Sequence, residues 1–183
     1  MQPAIPSNEN ARLEALRDLG ILDTPRDESF DDLTRIARHV AGTPLALIGL
    51  IDADREWFKS ADGAVLEDTD RDLTFCAHAI LTPERSTYVP DAREDPRFAD
   101  NPHVVDADPA TLFYYGAPLL TDDGLPIGTL CVVDHRPRTL EPAQREVIDA
   151  LARQAMRLIE LARSERQLRQ EHEEREVLLV HLE

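Results

Sequence analysis

The seven residues Leu45-Ala46-Leu47-Ile48-Gly49-Leu50-Ile51 carry no charged or hydrogen-bonding side chain. An apolar run this short, rich in branched residues, reads as a strand covered on both faces. It demands a sheet with a layer on each side. Asp52-Ala53-Asp54-Arg55 is short enough for a hairpin, so Glu56 to Ser60 returns as an antiparallel partner on which Trp57 and Phe58 face opposite ways. Leu112 to Thr121 and Pro126 to Asp134 flank Asp122-Asp123-Gly124, whose Asp-Gly pair is a hairpin signal. Gly116 and Gly128 inside these strands predict close backbone approach or bulges. A meander is favoured over a βαβ arrangement.

Helical patterns bracket the strands. Ser7 to Leu19 places Leu13 and Leu16 on one face, with Gly20 where a left-handed cap would sit. A second helix is expected to be capped by Thr24, with Pro25 in its first position and Asp27 at its positive end. Phe30, Leu33, Ala37 and Val40 are its apolar face, and Gly42 ends it. From Gly63 to Leu112 the chain is irregular, with a short helical piece around Phe75 to Leu81 and a brief strand at Thr87 to Val89. So long an irregular segment reads as functional or lid-like. Pro142 opens the last helix, with an apolar stripe of Val147, Ile148, Leu151, Ala155, Leu158 and Leu161. A weaker heptad seam follows at Leu161, Glu165, Leu168, His172, Arg175, Leu179 and Leu182, a composition suited to pairing with a second copy. The pattern reaches the last residue without a cap, and an output domain is expected beyond it.

The formal net charge is −16, and 26 of the 36 acidic residues precede Leu140. Such a surface repels phosphate backbones and anionic membranes, so neither nucleic acid nor lipid is the expected partner. There is no signal-peptide pattern and no apolar run of the roughly 18 residues that a membrane span needs, so a cytoplasmic location is expected. Cys76 and Cys131 form no CxxC pair, and they are expected to be reduced, buried thiols with neither metal nor disulfide framework.

Several ordered motifs then combine: Leu22-Asp23-Thr24-Pro25, Arg55-Glu56-Trp57-Phe58-Lys59-Ser60, Phe75-Cys76-Ala77-His78-Ala79-Ile80, Val89-Pro90-Asp91-Ala92, Asp95-Pro96-Arg97-Phe98, Asn101-Pro102, Gly116-Ala117-Pro118-Leu119 and Gly128-Thr129-Leu130-Cys131-Val132-Val133-Asp134. From about Glu9 to Leu161 the chain resembles the GAF domains that open bacterial sensor histidine kinases and diguanylate cyclases or phosphodiesterases. The resemblance implies an α+β fold: a central antiparallel sheet of about six strands, terminal helices on one face and a ligand-sized cavity on the other. The expected division is an N-terminal helical segment over 1–22, a GAF domain over 23–161 and a signalling coiled coil over 162–183.

The function implied is a sensory input module, itself not an enzyme, which dimerises in parallel and signals through its last helix. Leu158, Leu161, Leu168, His172, Leu179 and Leu182 form the expected dimer seam. Two alternatives remain: a receptor for a small molecule or tetrapyrrole, and a thiol enzyme like the free methionine sulfoxide reductases. Cys76, His78, Asp91, Arg97, Phe98, Asn101 and Tyr114 are the candidate cavity residues. Cys76 can carry a bilin, but the Cys-His dipeptide of bilin-binding relatives is interrupted here by Ala77. His78 can ligate haem, although a hydrogen-bonded, partly buried imidazole is the expectation, and no cofactor is assigned. Arg97 offers a bidentate anion clamp or, tied to Asp91 or Asp95, a loop brace. Trp57, Phe58, Phe75, Phe113, Tyr114 and Tyr115 divide between core and cavity. Asp52, Asp54 and Asp134 read as turn caps, and His181 as a candidate phosphoacceptor.

Overall fold

The computed structural model of the chain describes residues 1–180. Two helices, α1 (Glu9–Leu19) and α2 (Glu28–Ala41), precede the hairpin of β1 (Leu45–Ile51) and β2 (Arg55–Asp62). Then come the short β3 (Thr69–Asp70), α3 (Phe75–Ala79), β4 (Thr87–Val89) and α4 (Pro102–Val105). A second hairpin, β5 (Phe113–Leu120) and β6 (Pro126–Asp134), leads into α5 (Pro142–Val180). The six strands form one sheet in the order β3-β2-β1-β6-β5-β4, antiparallel throughout. β1 and β6 lie in its middle, and β6 is buried along its whole length. Strands covered on both faces have no use for alternating polar residues, which is why these two read as continuous apolar runs.

The α1, α2 and α5 helices cover one face. Leu16, Phe30, Ile48, Phe113, Leu130 and Ile159 meet there in the larger core cluster. Phe75, Phe98, Tyr114, Leu47, Cys131 and Val133 form a second cluster on the other face, beneath the irregular segment that includes α3 and α4. Trp57 belongs to the helix side and Phe58 to the loop side, as strand alternation requires. A β-bulge then interrupts the alternation: Ile48 pairs with Ser60 but Gly49 with Phe58, leaving Lys59 as the extra residue. Both Lys59, over the Phe30 ring, and Ser60, bonded to Thr34 and Asp31, consequently reach the helices.

Three local expectations need correction. Asp27, not Thr24, caps α2, accepting a hydrogen bond from Ser29 N at 2.8 Å. Thr24 instead donates to Ile21 O, the Lys59 ammonium donates to the Pro25 carbonyl at 2.6 Å, and Pro25 lies in the irregular link before the helix, which begins at Glu28. The stripe on α5 is also rotated. Ile148, Ala152, Ala155, Met156 and Ile159 are buried, whereas Val147 and Leu161 are exposed, because the 3–4 spacing starting at Ile148 is the one that faces the sheet. Finally, Leu158 packs against the domain core and is not an open seam position.

A buried ion network secures α1. Arg12, fully buried, bonds Glu9 and donates to Ile51 O at 2.6 Å. Arg71 bonds the same carboxylate and donates to Asp52 O. Two guanidiniums so enclosed need this shared counter-ion. Asp52 and Asp134 act as turn caps, Asp52 accepting from Ala53 N and Asp134 from His135 N and Arg136 N. The left-handed conformations of Gly20 and Gly42 end the first two helices.

Candidate functional site

On the loop-covered face a cavity of about 170 Å³ opens between the sheet and the irregular segment. Period-two alternation brings Leu47 of β1, Glu56 and Phe58 of β2, and Cys131 and Val133 of β6 to its floor. Thr74 caps α3, its hydroxyl accepting from Ala77 N, and this turn delivers Phe75 and Cys76 to the wall. Tyr114 closes one side. Its hydroxyl lies over Gly116, where an added Cβ would fall 2.1 Å from the phenolic oxygen. Only a residue without a side chain leaves the ring that position.

Inside the cavity wall the polar groups converge. The Cys76 and Cys131 sulfurs lie 3.9 Å apart. The Cys76 sulfur also accepts from Thr129 at 3.1 Å and from the Tyr114 hydroxyl at 3.3 Å. Glu56 is 3% exposed, and its Oε1 has no hydrogen-bond partner. Burial, with Cys76 beside it, pushes the Glu56 carboxyl well above the ordinary carboxylate range. Burial likewise raises the Cys76 thiol, aided by Cys131, and the Tyr114 phenol, aided by both cysteines. The result is a set of neutral acids in an apolar chamber. It can hold a proton, accept a hydrogen bond from a small guest or undergo thiol chemistry.

Among the predicted cavity residues, Cys76 and Tyr114 line this chamber. His78 turns away: its Nε2 lies 2.9 Å from Met1 O and its ring meets the edge of Phe98, while burial holds its pKa below the usual imidazole value. Phe98 is fully buried, stacked on Phe75 with centroids 4.2 Å apart. Arg97 pairs with Asp95 and covers the Phe98 ring, and Asp91 pairs with Arg93. Asn101 caps α4 through His103 N and donates to Leu73 O. These five residues organise the loop layer around the chamber and do not line it.

The sequence reading missed Glu56 and the contribution of Cys131. A glutamate at an inward-facing strand position was the available signal for the first. For the second it was the resemblance to the free methionine sulfoxide reductases, which set Cys76 and Cys131 side by side as thiols although they lie 55 residues apart. A wider hollow of about 400 Å³, lined by Asp18, Asp122, Asp123, Glu160 and Arg163, lies between α1 and α5, but its charged walls suit water. Among the described residues no three His, Cys, Asp or Glu side chains converge as a metal site. None of the described helices is long and apolar enough to cross a membrane.

Similarities to known proteins agree with this architecture. The chain is 40% identical over 164 residues to a cyclic di-GMP phosphodiesterase of Pseudomonas aeruginosa, aligning 88% of this chain with 27% of that protein. The chain thus spans about a quarter of that relative's length. A domain of a putative two-component sensor histidine kinase from Sinorhizobium meliloti superposes with a TM-score of 0.62 at 18% identity, covering 81% of this chain and 99% of that one. The GAF domain of an Acinetobacter phosphoenolpyruvate-protein phosphotransferase gives a TM-score of 0.60 at 17% identity, covering 85% and 96%. Residues 25–159 match the GAF domain family, and with a curled six-stranded antiparallel sheet between helices and a loop-covered cavity the chain belongs to that family.

Proposed function

We propose that this GAF domain is a cytoplasmic regulatory input module that pairs in parallel with a second copy along the outer half of α5 and passes a change in helix register to an output domain. The carrying observation is the course of α5. Its first half packs on the sheet, while every described side chain from Gln167 to Leu179 is exposed. Leu161, Leu168 and Leu179 are 55%, 66% and 57% exposed, in the heptad register that a parallel pair would bury. His172 shares that register and lies 3.4 Å from Glu176. Such polar seam positions weaken a coiled coil and keep two packings close in free energy, as a switch requires. Leu182 and His181 lie outside the described residues.

The similarity to a cyclic di-GMP phosphodiesterase supports an output domain that acts on cyclic di-GMP, with a histidine kinase as the other candidate. Light scattering of the chain at micromolar concentration is expected to give twice its 20.6 kDa mass, and Leu161→Asp with Leu168→Asp to give the monomer. A monomer for the unaltered chain sinks the pairing.

A second reading rests on Glu56. A buried carboxyl with an unpartnered oxygen beside an apolar chamber of about 170 Å³ suits a small receptor ligand bearing a hydrogen-bond donor. The volume resembles that of a cavity able to hold benzene, about 150 Å³, and lies below the roughly 300–1,000 Å³ of sites for drug-sized ligands. Well-ordered density for such a guest in a crystal grown from cell-purified protein tests it, and a chamber holding only water overturns it.

A further inference from the structure

The two cysteines sit on different layers of the domain. Cys76 is in α3 of the loop layer, Cys131 in β6 of the sheet, and their sulfurs are in van der Waals contact at 3.9 Å. We infer that Cys76 and Cys131 are a redox modification site, in which a hydroperoxide converts the thiol pair into a reversible intrachain disulfide that ties α3 to β6.

Three features support this beyond proximity. Both cysteines line the chamber, and Cys76, the residue that an oxidant as small as hydrogen peroxide must reach, keeps 3% of its surface exposed. The Thr129 and Tyr114 hydroxyls both donate to the Cys76 sulfur, an arrangement that stabilises a developing thiolate there. The buried Glu56 carboxyl, held neutral, lies beside the same sulfur, and its hydrogen bond favours the thiolate as well. A sulfur–sulfur bond needs about 2.05 Å, so the pair must close by rotation about a cysteine χ1.

The chemistry balances in two steps. The Cys76 thiolate attacks one peroxide oxygen, the O–O bond breaks, and a sulfenic acid and one water result once the displaced hydroxide takes up the thiol proton. The Cys131 sulfur then attacks the Cys76 sulfur, forming the S–S bond and expelling the second water. Two thiols are oxidised by two electrons and one peroxide is reduced to two waters. A small dithiol reverses the change by thiol–disulfide exchange. Because burial favours the neutral Cys76 thiol, oxidation should accelerate with rising pH. A disulfide across these layers would fix the loop layer over the chamber. The inference does not depend on pairing through α5.

The test treats the whole chain with a small excess of hydrogen peroxide, removes the peroxide with catalase, denatures the protein, adds N-ethylmaleimide and measures intact mass. The expected product is a monomeric chain lighter by two hydrogens, with maleimide uptake falling from two to none and returning to two after dithiothreitol. Peptide mapping should join the segments containing Cys76 and Cys131. In Cys131→Ser the reaction should stop at a sulfenic acid on Cys76 that dimedone traps, and in Cys76→Ser residue 131 should remain a free thiol. Undiminished uptake of two maleimides by the oxidised natural chain overturns the inference. So does oxygen addition without a cross-link, or a disulfide joining two chains.

Discussion

Glu56 and Gly49 share one space: a Cβ placed on Gly49 would lie 2.0 Å from Glu56 Oε1. The glycine in the central strand is thus what admits a carboxyl to the floor of the chamber. Gly49→Ala should cost about 1–3 kcal/mol by overpacking. In a Glu56→Ala background the same change should cost much less, because the clashing group is gone. Urea denaturation of the four proteins measures this coupling, and additive losses would show that the contact does not set the cost.

The pH dependence of stability separates two carboxylates with opposite shifts. Burial and the neighbouring Cys76 raise the folded pKa of Glu56, so its contribution is complete below its unfolded value near 4.5 and is lost as pH rises toward the folded value. Glu9 behaves in the reverse sense. Burial opposes its ionisation, but hydrogen bonds from Arg12 and Arg71 prevail and lower its pKa to about 2. Its contribution is therefore present above about 4.5 and lost as pH falls toward 2. Relative to the natural chain, Glu56→Gln should gain stability between about pH 5 and 8, and Glu9→Gln should be less stable at pH 7 with a deficit that shrinks on acidification. Thermal melts from about pH 2 to 8 check both signs.

The segment around the chamber can be divided by its energetics. Phe98 is fully buried against Phe75, so Phe98→Ala should cost about 3–5 kcal/mol and loosen α3. Arg97, 40% exposed in its side chain and paired locally with Asp95, should cost under about 1 kcal/mol when replaced by alanine. Hydrogen exchange at the α3 amides should follow the same order. A large effect of Arg97→Ala would indicate that the loop is held by its charge and not by the aromatic stack.

The sequence by itself determined the sheet: the apolar run at Leu45–Ile51, the Asp-Gly hairpin before β6 and the helical spacings at each end are local patterns, and local patterns report which faces must be buried. It also exposed the composition of α5, whose outer half has too few apolar positions to face a core. Three-dimensional packing decided the rest. Thr24 and Asp27 are both competent caps, and Lys59 arriving from another strand selected between them. Arg97 and His78 carry richer chemistry than Glu56 on paper, yet hydrogen bonds to Asp95 and Met1 hold them away from the chamber. Glu56 and Cys131 look like a hairpin residue and a core residue until α3 is laid over the sheet. A cavity joins residues by distance in space, whereas periodicity along the chain records only which side of its own strand or helix each residue occupies.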